Sequence, residues 1–246
     1  MAVTGREKTA IFRLLAAIVS PVMALLARYE IIDGRKLPQT GAFILAPNHF
    51  SEIDPVLLGL MMYRLGRMPR YLAKASLFRV PILGWFLRTS GQIPVERSGA
   101  VRGKDPMSAA GRVVAAGHAV VIYPEGSLTR DPDLWPMRGK SGAVRMALLA
   151  DIPLIPVAHW GVQRILPRYG KKISIFPRKT VLVKFGDPVD LSEFRGKGMD
   201  PAVLTAATAK LMTQITALLA DLRHQPAPAK VWDPREHRQS EVGRFE

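Results

Sequence analysis

Two hydrophobic rhythms alternate along the 246-residue chain. Strand-like stretches at 29–33, 42–46, 70–73, 119–123, 154–158 and 180–185 are short and bounded by Gly, Pro or Asp. Between them, 56–62, 107–116 and 142–150 have helical composition, and 78–87, broken by Pro81 and Gly84, reads as short helices. Asp200-Pro201 is a helix start, with a capping carboxylate followed by proline. Leu204, Ala207, Leu211, Ile215, Leu218 and Leu222 then recur at spacings of three and four, so that helix lays one face on the core. This alternation predicts an α/β fold, a central mixed sheet flanked by helices.

The amino-terminal end breaks the rhythm. Residues 10–27 form the longest apolar segment, led by Arg6, Lys8 and Arg13. A bilayer core asks for roughly 20 residues, and Pro21 interrupts this segment. A basic start and small residues near Ala24 and Ala27 also fit a cleaved secretory signal. The reading preferred is a helix lying in the membrane interface, apolar residues in the acyl region and arginines among headgroups. The expected organisation is a membrane-associating helical segment at 1–28, an α/β domain at 29–223, and an extended or disordered tail at 224–246.

Charge narrows the choice of partner. A formal net charge of +15 calls for something acidic: nucleic acid, an anionic membrane surface or a phosphorylated substrate. No zinc finger, basic zipper or aromatic RNA-binding motif is present, so no nucleic acid is expected. Arg164, Arg168, Lys171, Lys172, Arg178 and Lys179, interleaved with Ile173, Ile175 and Phe176, form a candidate face for docking on anionic lipid. Cysteine is absent, which excludes disulfides, thiolate catalysis and cysteine-ligated zinc.

Chemistry concentrates at strand ends. His49 follows the 42–46 strand and precedes Asp54 by five residues, a spacing that lets the carboxylate fold back onto the imidazole, with Ser51 as a helix cap between them. Glu125-Gly126 follows the 119–123 strand, so Glu125 should reach the same edge of the sheet and face His49. It would orient an acceptor hydroxyl or a basic residue while Gly126 lets backbone approach a ligand. Arg97, Lys74 and Lys140 are candidates for gripping an anion. Gly139-Lys140-Ser141 imitates the end of a P-loop, but Leu134 stands where that motif needs glycine. There is no G-x-S-x-G elbow, and His118, His159, His224 and His237 lack metal-ligand spacing, so neither a covalent serine intermediate nor a metal is expected.

NHFSEIDP, GQIPVER, YPEG and IPLIPVAHWG occur in that order over roughly residues 42–165. In this the chain resembles the glycerolipid acyltransferase family, which includes 1-acylglycerol-3-phosphate acyltransferases. The resemblance implies His49 as general base, Asp54 as its orienting partner, Arg97 and Glu125-Gly126 in acceptor binding, and Pro156 in the block that shapes the acyl pocket. It implies acyl-CoA or acyl carrier protein as donor, no cofactor, and a lysophospholipid acceptor of the lysophosphatidate type, giving phosphatidic acid. Where the family's third block commonly reads Glu-Gly-Thr-Arg, this chain has Ser127-Leu128, and its first arginine is Arg130. Either Arg130 reaches back, or Arg97, Lys74 and Lys140 hold the phosphate without it. Backbone amides near Gly126 or in a 93–95 turn are candidates for the oxyanion donors.

The expected location is the cytoplasmic face of the cell membrane, peripheral or monotopic. Two other readings stand beside this one: an acyltransferase for glycerol 3-phosphate or a glycolipid hydroxyl, and a non-catalytic basic protein that binds membrane or nucleic acid.

Overall fold

The computed structural model describes residues 10–95, 113–241 and 243, with residues 73, 74 and 95 described by backbone alone. Seven strands form one sheet in the order β1-β7-β6-β2-β5-β3-β4. They are β1 (Ala27–Ile32), β2 (Phe43–Pro47), β3 (Pro69–Lys74), β4 (Ile93–Val95), β5 (Ala119–Val121), β6 (Leu154–Trp160) and β7 (Lys179–Phe185). Five neighbouring strands, β6 to β4, run parallel, and the sheet turns antiparallel only between β6 and β7. β1 pairs parallel with β7, which makes the sheet mixed, as the alternation predicted.

Helices cover both faces: α1 (Ala10–Leu26), α2 (Asp54–Arg64), α3 (Pro81–Thr89), α4 (Gly142–Ala150) and α5 (Pro201–Arg223). The strands are apolar on both sides because both sides are covered. Phe43, Leu45, Val121, Val157 and Val183 pack toward α1 and α2, whereas Ile44, Ala46, Val120 and Leu154 pack toward α4 and α5. Leu204, Ala207, Leu211, Ile215 and Leu222 are buried on α5 as the spacing predicted; Leu218 is only partly buried and Leu219 takes its place in the core. At about 1.5–3 kcal/mol per fully buried large aliphatic side chain, these two layers supply the bulk of the drive to fold.

Two local features differ from expectation. Ser51 does not cap α2; its hydroxyl donates to Leu166 O at 2.7 Å, and Ile53 holds the cap position with no side-chain bond. The stretch at 93–95 is the edge strand β4 rather than a turn. Between a 3₁₀ turn (Ala75–Arg79) and α3, Gly84 lies so close to Phe78 that an added Cβ would stand 2.1 Å from its carbonyl oxygen. Among the described residues one helix is long and apolar enough to cross a membrane, α5, which the sheet and α4 already cover; α1, at 17 residues, is shorter.

Candidate active site

β2 and β5 are parallel neighbours, so the chain leaves both at the same carboxyl edge of the sheet, where open α/β folds leave a crevice. Asn48 follows β2 and is clamped to β6. Its amide donates to His159 O at 3.2 Å, and His159 N–H donates to Asn48 Oδ1 at 2.9 Å. His49 comes next, with its own backbone held from the β5 side. Its N–H donates to Glu125 Oε1 at 3.0 Å, and its carbonyl accepts Thr129 N–H at 2.7 Å.

Proline early in α2 starts the helix immediately after this loop, and Asp54 in its first turn folds back over it. Asp54 Oδ2 accepts the N–H of Phe50 at 2.8 Å, the N–H of Ser51 at 2.9 Å and the ring Nδ1–H of His49 at 2.9 Å. With Nδ1 donating, Nε2 is left as the basic nitrogen. Tyr123, directly after the β5 region, stacks on the imidazole at 4.0 Å between centroids. Asp54 is fully buried while the His49 side chain is 16% exposed, so the imidazole is accessible and its carboxylate partner is not.

Glu125 reaches the same edge but faces inward. It is wholly buried; Oε2 accepts Met137 N–H at 3.0 Å while Oε1 holds the amide of His49. Burial pushes its pKa up to about 8, against the pull of those two amides. The expected contact between Glu125 and an acceptor therefore gives way to a positioning role: this carboxyl ties the β5 loop to the β2 loop. Gly126, at φ +72°, needs its freedom because an added Cβ would lie 3.0 Å from Lys140 Cδ. The close approach it permits is to the Lys140 stem, not to a ligand, and its own N–H already donates to Tyr123 O at 3.1 Å.

Of the cationic candidates, Lys140 stands beside Gly126 with its ammonium 3.8 Å from the Glu241 carboxylate. Arg130 turns inward. It is 1% exposed, and its guanidinium donates to Ser240 O at 3.0 Å and Gly243 O at 2.7 Å. Arg97 lies outside the described residues, and for Lys74 only the backbone, at the end of β3, is described. Arg168, read as part of a docking face, turns inward instead and donates to Thr129 O at 2.6 Å and Asp131 O at 2.7 Å. Lys179 likewise bonds Ser174. Lys171, Lys172 and Arg178 stay exposed beside Ile173, Ile175 and Phe176.

His159 had no role in the sequence reading. It is completely buried on β6, with Nε2 3.0 Å from Asn48 O and 3.7 Å from Asp54 Oδ2. Burial lowers its pKa against the pull of Asp54, which keeps the ring neutral and a donor to the Asn48 carbonyl. The available signal was a single polar residue within an otherwise apolar strand next to β2. Among the described residues, no cluster of three or more His, Asp and Glu is placed to hold a metal ion.

An apolar cavity of about 370 Å³ opens between α1, α2 and α3. Phe12, Leu15, Val19, Val56, Leu60 and Leu87 line it, and it reaches Pro55, the neighbour of Asp54. Pro156, assigned by resemblance to shaping an acyl pocket, sits instead within β6, paired with Ala46, and is not part of this lining.

A histidine–aspartate pair thus stands at a parallel sheet edge near an apolar cavity. Residues 28–160, more than half of the chain, match the family model Acyltransferase, and the chain belongs to that family. It is 26% identical over 185 residues to the 1-acyl-sn-glycerol-3-phosphate acyltransferase of Bacillus subtilis, covering 74% of this chain and 84% of that protein. It is 28% identical over 166 residues to the human 1-acyl-sn-glycerol-3-phosphate acyltransferase beta, covering 67% of this chain and 57% of that protein. Its match to the chloroplastic 1-acyl-sn-glycerol-3-phosphate acyltransferase BAT2 of Brassica napus, 28% identical, covers 49% of this chain and 33% of that longer protein. The crystal structure of PlsC, the 1-acyl-sn-glycerophosphate (LPA) acyltransferase of Thermotoga maritima, superposes with a TM-score of 0.64 at 21% identity, covering 88% of this chain and 81% of that one. This last likeness establishes the shared fold.

Proposed function

We propose that this enzyme transfers a fatty acyl group from an acyl thioester to the free hydroxyl of a lysophosphatidate-type acceptor, with His49 as general base and Asp54 as its partner. The observation that carries the reading is the 2.9 Å bond from His49 Nδ1 to a buried aspartate, which leaves Nε2 as the basic nitrogen of a partly exposed ring. An acceptor hydroxyl has a pKa far above neutrality, so Nε2 takes its proton as the oxygen attacks the thioester carbonyl, a role worth about 10² to 10⁴ in rate. Asp54 stabilises the imidazolium that forms, and Tyr123 keeps the ring in plane. The thiolate leaves, and no nucleophile on the protein is needed. The apolar cavity beside Pro55 suits the acyl chain.

The donor is acyl-CoA or acyl carrier protein, and the site is held at a membrane. Leu14, Ile18, Val22 and Leu25 form an exposed apolar stripe on α1, and Ile82, Leu83 and Trp85 are exposed on α3, the other wall of the cavity mouth. Such paired faces, with Arg13, Arg79 and Arg88 close by in the chain, suit peripheral or monotopic seating on anionic lipid at the cytoplasmic face. A different acceptor, a glycolipid hydroxyl with no phosphomonoester, is favoured by one observation. Leu128, where the related motif has arginine, is buried, and Arg130 is occupied by the chain's own carbonyls.

The test is thiol release from an acyl-CoA, followed with lysophosphatidate, glycerol 3-phosphate and monoacylglycerol as acceptors. The expected result is fastest release with lysophosphatidate and a fall of about 10² to 10⁴ in the rate of His49→Ala. Full activity in that variant would overturn the mechanism, and a preference for another acceptor would move the assignment to it.

A further inference from the structure

The described residues beyond His224 include no helix or long strand, yet they are fastened to the loop that follows β5. Trp232 forms a bridge with Met137, and its carbonyl accepts Arg138 N–H at 2.8 Å. The indole stacks on His237 at 3.6 Å and donates to Gln239 Oε1 at 3.0 Å. These contacts bring Ser240 and Gly243 to Arg130, whose Nε and Nη2 donate to their carbonyls. Among the described residues three cations face the Glu241 carboxylate, Arg138, Lys140 and Arg235. Oε1 of Glu241 is 3.5 Å from Arg138 Nη1 and 3.8 Å from Arg235 Nε, and Oε2 is 3.8 Å from Lys140 Nζ. The Glu241 carbonyl accepts the Ser127 hydroxyl at 3.1 Å, so the carboxylate is aimed by backbone on the loop that holds His49.

Three properties mark that carboxylate as an occupant rather than a structural tie. Its ion pairs are long, and Arg138 is shared with Asp233 at 3.8 Å. All the partners on the rim are well exposed, at 36% for Glu241 and 42% for Arg138 and Lys140, so solvent screens them. The space enclosed by Glu125, Met137, Arg138, Lys140, Pro234 and Glu241 is about 10 Å³, room for one water and not for a phosphate.

We propose that Glu241 is an intramolecular stand-in for the acceptor's phosphate: it fills the Arg138–Lys140 anion site, and a phosphomonoester enters by displacing it. The inference rests on the lysophosphatidate reading for its catalytic consequence, and it names the residue that sets selectivity for acceptor charge. A tethered carboxylate competes at millimolar effective concentration. A phosphomonoester brings nearly two charges and three acceptor oxygens to the same cations and outcompetes it, whereas an uncharged acceptor gains nothing by doing so.

Glu241→Gln in the full chain removes the charge and keeps the backbone bond to Ser127. Two readouts are needed, the ratio of KM for lysophosphatidate to KM for monoacylglycerol, and the midpoint for protection by inorganic phosphate in a thermal-shift titration. Both are expected to fall roughly 3- to 10-fold, and Lys140→Ala added to Glu241→Gln is expected to raise the phosphate midpoint again. An unchanged ratio and midpoint would overturn the proposal, as would an equal gain with both acceptors, which marks general loosening of the tail. Absence of transfer to lysophosphatidate by the wild type would remove the acceptor reading alone, because the phosphate titration judges Glu241 without catalysis.

Discussion

Around His49 the polar contacts are short and at least partly buried, whereas a few residues away at the Arg138–Lys140 rim they are long and exposed. The difference follows from what each region must do. A base has to sit within a few tenths of an ångström of a reactive geometry, and buried hydrogen bonds from β5 and α2 supply that. A recognition rim has to let go of one anion to take another, which suits weak, screened pairs. Changes in the first region should therefore appear in turnover and folding, and changes in the second in apparent affinity.

Asp54→Asn tests the buried side hardest. An amide can present its oxygen to the three N–H donors now on Oδ2 and place its NH₂ where Oδ1, which is buried without a hydrogen-bond partner, now sits. Geometry survives and the charge does not. The expected outcome is a fall of about 10² to 10⁴ in kcat with a loss of about 1–3 kcal/mol in stability from the orphaned NH₂. A variant within a factor of two of wild type in kcat would break the assigned roles.

His159→Leu is expected to cost about tenfold in kcat with KM little changed, because Asn48 O loses its donor and the His49 backbone loses one of its anchors. His159→Gln, which keeps an N–H, should recover most of the loss. Equal activity in both variants would show that the ring only fills space.

Glu125→Gln gives the smallest and most pH-dependent change. The folded-state pKa is raised from 4.5 to about 8, so folding holds the proton more tightly than the unfolded chain does. The stability this group contributes is complete below about pH 4.5 and is lost progressively as pH rises to about 8. The difference in melting temperature between wild type and variant should therefore shift in favour of the variant across that window. A difference independent of pH would remove the titration from Glu125.

The same division explains what could be read without coordinates. The His49–Asp54 pair was legible because its parts are nearly consecutive: an apolar strand, Pro47 at its end, His49 and then Asp54 in the first turn of a helix. The sheet was legible because buried strands declare themselves by apolar runs. Glu125 was placed at the correct edge, but its direction was not, since whether a carboxyl after a strand faces in or out depends on amides supplied by His49 and Met137 from elsewhere in the chain. His159 was overlooked because its partners, Asn48 and Asp54, are brought to it only by the pairing of β2 with β6. The attachment of residues 232–243 left no trace in periodicity, because it uses backbone carbonyls and one indole rather than a repeating face.

The pairing of β1 with β7 has a kinetic meaning as well. Ala27 waits for Lys179, about 150 residues further along, before its strand has a neighbour. At ribosomal speeds that interval is on the order of 10 s, and loop closure over such a span is slow in its own right. Throughout it α1 and its apolar stripe stand outside any completed sheet. A nascent chain of this design presents that stripe before it meets its own last strand, so the order of synthesis exposes the apolar face first and closes the sheet second.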